Sequence, residues 1–485
     1  MPATVRRRLG TITAIRRLGR HLNRRTILRI GTVAAAGYAA WLAVGLFGRP
    51  YNFFDMKIYH GAMVWWANGN ELYDFIAPDT TLGFTYPPFG GLVMLPMVPL
   101  PTAVAGWVNV VGSVTALAVV LAALLRPIVD RLGWSLWFAV GLAVPLAAAL
   151  EPARETLGYG QVNLLLFALI MADLMALRWR SRGGRYLAPT AGALRRLWFG
   201  GAWAGVGIGL ASSIKLTPAL FILYLLVTRQ WRPAATAVGT AVTVTLGTFA
   251  VAGQASATYF TSVLWNTGRV GAADMTPNQS LAGLLARLYD SMETPGLLYF
   301  SFALVLLVVG LSRATSAHAD GDELTAFTLV GLTANVISPI SWSHHLVFVI
   351  PAVLVLTDAA IRRRSASRGP TRRPEPAIAS PSMAGLTPLR PPIWFPALTG
   401  FRHGVAALGL YLLFLISPIW PYEHQLPTVS HYQDGLFGAL MENSLALALI
   451  VLVTALPWRP GAEPAFYAES VSRAERRSVV VGAGR

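Results

Sequence analysis

The chain has 485 residues, 54% of them hydrophobic and only 13% charged, with a mean hydropathy of +0.53. That is too apolar for a soluble globule of this length, and the fold class expected is an all-α integral membrane protein. Cysteine is missing from the sequence, which excludes disulfides and thiolate metal sites. The net charge of +17 is almost wholly arginine, and it falls in clusters at the ends of apolar runs. That alternation argues for basic loops held on the cytoplasmic side and against a nucleic acid partner.

Apolar runs of roughly 17 to 25 residues are long enough to cross a bilayer, and about eleven or twelve are present. A basic segment over 1–29 is suited to anionic headgroups, with the first span, 30–48, acting as an uncleaved anchor. A long outer loop over 49–92 follows, then spans near 93–124 and 134–150, with "EPARETLGYGQVN" outside. The chain returns to the arginine cluster at 178–196. The next two apolar pieces, 198–211 and 217–228, are each too short to span comfortably and meet at "SSIKLTP". Interrupted helices at membrane depth need a wet or protein-lined cavity, so Lys215 is expected at one. A span at 233–252 leads to a second long outer segment ending at Pro295, and further spans are expected near 296–311, 325–341, 346–360, 404–420 and 434–456. The expected organisation is a catalytic transmembrane core over 30–360, a Pro/Arg/Ser-rich cytoplasmic linker over 361–400, C-terminal helices over 401–457 and a basic tail over 458–485.

With this topology the ionisable and amide side chains that stand out gather on the outer face, and ionisable groups at the membrane boundary are functional by default. There is no P-loop and no HExxH motif, and "GVGIG" at 205–209 sits in an apolar run, where small residues permit close helix packing. Most candidates carry a second, plainer reading. Asp55 is either a general base or the N-cap of a short helix beginning at Met56. Lys57 is a site cation or a lysine reaching for headgroups. His60 is interfacial or catalytic. Glu151 and Glu155 either clamp Arg154 or bind acceptor hydroxyls. Asn278 and Gln279 either cap the next helix or bind sugar, and Tyr86 either packs the loop or lines the site.

Seven ordered stretches, "FFDMKIYHGA", "GNELYDF", "FTYPPFGGL", "GYGQVNLLL", "IKLTPAL", "GRVGAADMTPNQSLAGLLAR" and "SPISWSHH", together resemble the family 87 glycosyltransferases of actinobacteria. The likeness runs from about 50 to 360, and the wording around 64–75 is similar to members acting in phosphatidylinositol mannoside synthesis. The resemblance implies a polytopic GT-C fold with extracytoplasmic loop helices, in the plasma membrane with its site facing the periplasm. It implies polyprenyl-phosphate-mannose as donor, a mannosylated phosphatidylinositol as acceptor, and an α-(1→2) linkage made with inversion. It places the base on Asp55. Lys215, Arg269, Lys57 and one of His344 or His345 are the candidates for the donor phosphate and sugar, and His60, Tyr86, Glu151, Asn278 and Gln279 for the acceptor. No metal or other cofactor is expected, since cations can steady a leaving phosphate. The alternatives are an α-(1→2) branching activity on lipomannan or lipoarabinomannan, a lipid-linked sugar flippase, and a membrane scaffold.

Overall fold

The computed structural model describes residues 23–181, 192, 195, 198–367, 400–423 and 430–462. The basic N-terminal segment, most of the 361–400 linker and most of the tail lie outside the described residues. Those described are almost entirely helical, joined by two isolated β-bridges, Ile76 with Gly83 and Asn278 with Trp342.

The helices are α1 (Arg24–Phe47), α2 (Phe54–Ala67), α3 (Pro88–Met94), α4 (Thr102–Leu132), α5 (Leu136–Ala149) and α6 (Glu151–Tyr159). They continue with α7 (Asn163–Ser181), α8 (Val206–Ile214), α9 (Leu220–Val227), α10 (Trp231–Val251), α11 (Gly253–Thr261) and α12 (Leu281–Leu288). The remainder are α13 (Gly296–Ala319), α14 (Glu323–Ile337), α15 (Val349–Ser367), α16 (Phe401–Ile416), α17 (Gly435–Glu442) and α18 (Ser444–Ala455).

Among the described residues four helices, α1, α4, α10 and α13, are long and apolar enough to cross a membrane alone. The count rises to six if the bent pairs α5–α6 and α17–α18 are each one span. The eleven or twelve apolar runs of the sequence include pieces that breaks leave short, such as α14 and α16. Prolines do much of the breaking. The expected span at 93–124 is displaced to α4, because Pro96, Pro99 and Pro101 interrupt the run before it. At Leu150 the backbone is extended, Pro152 opens α6, and the chain turns by 76°. The break expected at "SSIKLTP" is present: α8 ends at Ile214, Lys215 is extended, and a 3₁₀ turn over Thr217–Ala219 starts α9.

Lipid supplies no hydrophobic drive between helices, so their association rests on close packing and internal polar bonds. In the "GVGIG" stretch a β-carbon on Gly207 would lie 2.1 Å from the Leu169 carbonyl oxygen, and one on Gly209 would lie 2.6 Å from that of Ala237. These glycines let α8 sit directly on α7 and α10. At the centre is α14, buried from Glu323 to Val336, with Phe327, Phe221 and Phe348 packed ring against ring. Large apolar side chains are left outward instead, among them Trp41 on α1, Val251 on α10 and Leu297 on α13. An apolar shell around a polar-studded core is the arrangement of an integral membrane protein.

The two long segments expected as outer loops fold together into one layer with its own apolar core, including Ile58, Met63, Leu72 and Phe84 from the first and Ala255, Tyr259 and Val263 near the second. α2 begins this layer. Asn52 and Phe53, just before it, both adopt left-handed backbone, a strained conformation for such residues that fixes how the helix enters. The Phe53 amide donates to the Gly158 carbonyl at 3.0 Å, tying that entry to α6.

Candidate active site

A cavity of about 380 Å³ opens between this layer and the helical core, and Asp55, Tyr86, Lys215, Arg269, His344 and His345 all line it. They come from separate parts of the chain: α2, the loop before α3, the break after α8, the loop after α11 and the "SPISWSHH" turn.

Asp55 is the second residue of α2, whose N-cap is Phe53, so it does not cap a helix beginning at Met56. Its Oδ2 accepts from Gln161 Nε2 at 2.8 Å. Gln161 Oε1 in turn accepts from the Tyr86 hydroxyl at 2.8 Å, and the hydroxyls of Tyr59 and Tyr86 lie 3.1 Å apart. Burial pushes the Asp55 carboxyl up to about 6, while the Gln161 bond and the nearby Lys215 charge restrain the rise. A carboxylate poised there is deprotonated at neutral pH yet basic enough to take a proton.

Lys215 donates to Asn163 Oδ1 at 3.1 Å and stands 5.6 Å above the Tyr86 ring. Among the described residues no ion pair joins it to Asp55. Arg269 is anchored by Nη2, which donates to the Tyr73 carbonyl at 2.5 Å. The two histidines are perpendicular, with ring centres 4.6 Å apart. Burial, with Lys215 beside them, holds both imidazoles well below their ordinary range, so they are neutral. His345 Nδ1 accepts from the Trp342 amide at 3.2 Å, which leaves the ring proton on Nε2 as a donor. His344 lies nearer Glu155, 3.9 Å from Oε2, and its own Nε2 is buried without a partner.

Five other candidates stand away from the cavity wall. Lys57 is exposed on the far side of α2. His60 braces the layer, with Nε2 2.9 Å from the Leu100 carbonyl and Nδ1 3.1 Å from Thr102 Oγ1. Glu151 is buried in an ion pair with Arg154 and accepts from Trp420 Nε1 at 2.7 Å, which matches the clamp reading. Glu155 does not join that clamp through Arg154; it accepts from Ser343 and faces Arg49 at 3.7 Å, and it does line the cavity.

Asn278 and Gln279 are fully buried and consumed by scaffold bonds. Asn278 Nδ2 donates to the carbonyls of Ala273 and Pro339 at 2.8 and 3.2 Å, and its Oδ1 accepts from the Ser341 amide at 2.9 Å. Gln279 Nε2 donates to the carbonyls of Thr276 and Glu442, and its Oε1 accepts from the Ala446 amide. The cap of α12 is Ser280, whose Oγ accepts from the Gly283 amide at 3.1 Å. Asn278 therefore holds the "SPISWSHH" turn in place, while Gln279 ties the same segment to the junction of α17 and α18.

Tyr59, Tyr159, Trp342 and Trp420 also line the cavity and were not singled out from sequence. Tyr59 carried a signal, since it lies one helical turn from Asp55 on the same face. Among the described residues no group of three His, Asp or Glu side chains could hold a metal ion.

Comparison with known proteins follows the same lines. The model of Glycosyltransferase family 87 matches residues 84–339. The polyprenol-phosphate-mannose-dependent alpha-(1-2)-phosphatidylinositol mannoside mannosyltransferase of Mycobacterium tuberculosis is 32% identical over 399 residues, covering 78% of this chain and 84% of the relative. The polyprenol-phosphate-mannose-dependent alpha-(1-2)-phosphatidylinositol pentamannoside mannosyltransferase of Mycolicibacterium smegmatis is 32% identical over 327 residues, 66% of this chain and 72% of the relative. A solved structure, ArnT from Cupriavidus metallidurans bound to undecaprenyl phosphate, gives a TM-score of 0.35 at 14% identity, over 89% of this chain and 77% of that one. On the family match and the extent of the first relative, the chain belongs to glycosyltransferase family 87.

Proposed function

We propose that this chain transfers mannose from polyprenyl-phosphate-mannose to a mannosylated phosphatidylinositol, forming an α-(1→2) linkage with inversion, at the periplasmic face of the plasma membrane. The observation that carries the reading is a single cavity lined by both the Asp55 carboxyl group and the Lys215 side chain, each held by its own amide partner. The names of the relatives support the choice of donor and acceptor.

In this reading Asp55 takes the proton of the acceptor 2-hydroxyl while that oxygen attacks the anomeric carbon. The new carbon–oxygen bond forms as the bond from that carbon to the phosphate oxygen breaks, and its electron pair leaves with the lipid phosphate. One displacement converts a β-linked donor into an α-linked product. Lys215 and Arg269 offset the charge growing on the phosphate, and His345 adds a neutral N–H donor. The cations make a metal unnecessary, so transfer should persist in EDTA.

The acceptor proposed is the tetramannosylated lipid, giving the pentamannosylated product. A second reading, in which the acceptor is already pentamannosylated, is supported by the similarity to the M. smegmatis relative. Purified protein supplied with labelled donor and each acceptor separates them by product mass. Donor moving across liposomes with no glycosidic bond formed on either acceptor would overturn both and favour a flippase.

A further inference from the structure

The Tyr59–Tyr86–Gln161 chain ends on one oxygen of Asp55, and its direction can be worked out. Gln161 uses its NH₂ toward Asp55 Oδ2 at 2.8 Å, so its carbonyl oxygen faces the Tyr86 hydroxyl, also at 2.8 Å. An amide oxygen only accepts, so Tyr86 must donate. The Tyr86 oxygen then receives the Tyr59 proton across 3.1 Å. Every proton in the chain points toward Asp55. The chain is also fixed from outside: Asn109 Nδ2 donates to the main-chain carbonyl of Gln161 at 3.0 Å, and the Tyr73 hydroxyl donates to the main-chain carbonyl of Tyr86 at 2.8 Å.

We infer that Gln161 is a positioning residue for the transfer reaction: it occupies Oδ2 of Asp55, leaves Oδ1 as the basic atom, and joins Asp55 to a tyrosine chain that orients the carboxylate without conducting its proton. This rests on the reading of Asp55 as the base. A carboxamide in mid-chain does not hand a proton on as water or a hydroxyl does. The proton taken from the acceptor therefore moves to Oδ1 and stays there until the departed phosphate or water on the cavity side removes it. Hydrogen bonds to the charged form favour it, so the amide also holds the carboxyl below the point to which burial alone would drive it.

Other groups act on Asp55 as well. Lys215 faces it from the break after α8 and lowers its pKa. Tyr59 on its own helix, Tyr86 on the loop before α3 and Tyr159 on α6 each feel its charge and stay protonated. Glu155, Arg269 and the two histidines share the same cavity. None of these except Gln161 is hydrogen-bonded to the Asp55 carboxylate among the described residues.

The test is the pH dependence of kcat/KM for purified Gln161→Leu and Tyr86→Phe beside the wild type. For Gln161→Leu the acidic limb should move up by about one pH unit, kcat should fall, and donor KM should stay within about threefold. Tyr86→Phe keeps the Gln161 to Asp55 bond and should move the limb in the same direction by less. A role confined to stability would lower the yield of active enzyme and leave the limb in place. Should Gln161→Leu be inactive throughout, difference infrared titration of the Asp55 carboxyl, referenced to Asp55→Asn, reads the same shift without turnover. An unmoved limb or carboxyl titration in Gln161→Leu overturns this inference. Wild-type turnover by Asp55→Asn would instead overturn the assignment of the base on which it rests.

Discussion

Replacing Gly160 with alanine tests whether α6 sets the position of Asp55. Gly160 has a φ of +76°, and an added β-carbon would lie 2.7 Å from Met56 Cβ. The left-handed conformation alone costs a residue with a β-carbon roughly 1 to 2 kcal/mol. The clash adds to this, because the atom it meets is bonded directly to the α2 backbone and cannot rotate away. Ordinary carbon–carbon contact needs about 3.5 to 4 Å, so the first turn of α2 must retreat by about 1 Å. Asp55 is the neighbour of Met56 in that turn. Its 2.8 Å bond to Gln161 would lengthen out of hydrogen-bond range. A shift of about 1 Å at a reacting group costs on the order of 10²-fold in rate. We therefore expect Gly160→Ala to bind donor but turn over about 10²-fold more slowly, with a lower thermal midpoint. Initial rates with labelled donor and a thermal scan in the same detergent check both. Wild-type kcat with an unmoved midpoint would refute the reasoning.

Other expectations follow from the same geometry. Because the base works only when deprotonated and the Asp55 carboxyl lies at about 6, kcat/KM should fall as pH drops through about 6; a limb near pH 4 would contradict the placement. Lys57→Ala, altering an exposed side chain outside the cavity, should keep transfer within about twofold of wild type in the same rate assay. Asn278→Ala leaves two carbonyls and one amide without their partner, at about 1 to 3 kcal/mol for each group left unsatisfied. It should lower the thermal midpoint while acceptor KM of the surviving enzyme stays within about threefold.

Much of this was legible in the sequence, and the parts that were not have identifiable causes. The break at Lys215 is visible because a cation, a threonine and a proline interrupt an apolar run, and backbone freed there needs a polar lining. Asp55 was visible as an acid beside the first span. Lys57 and His60 mislead because they stand close to Asp55 in sequence, and closeness in sequence is not a shared face. As a helix of about 100° per residue, α2 turns Lys57 about 200° away from Asp55 and His60 about 140°, while Tyr59 returns to within about 40°. Gln161 lies in the "EPARETLGYGQVN" stretch expected outside, but its partnership with Asp55 spans 106 residues and has no local pattern. Asn278 and Gln279 looked like sugar-binding amides because the sequence shows their type and not the backbone groups that consume them. Span boundaries slipped wherever prolines shortened an apolar run, as before α4.

The central claim is that the Asp55 carboxylate is the base of the transfer. Its most direct measurement is the single-turnover rate of purified Asp55→Asn with labelled polyprenyl-phosphate-mannose and saturating acceptor, with donor affinity measured in parallel. The account predicts a loss on the order of 10³-fold or more, within the range general base catalysis supplies, with donor affinity within about threefold of wild type. A rate within about tenfold of wild type would contradict it.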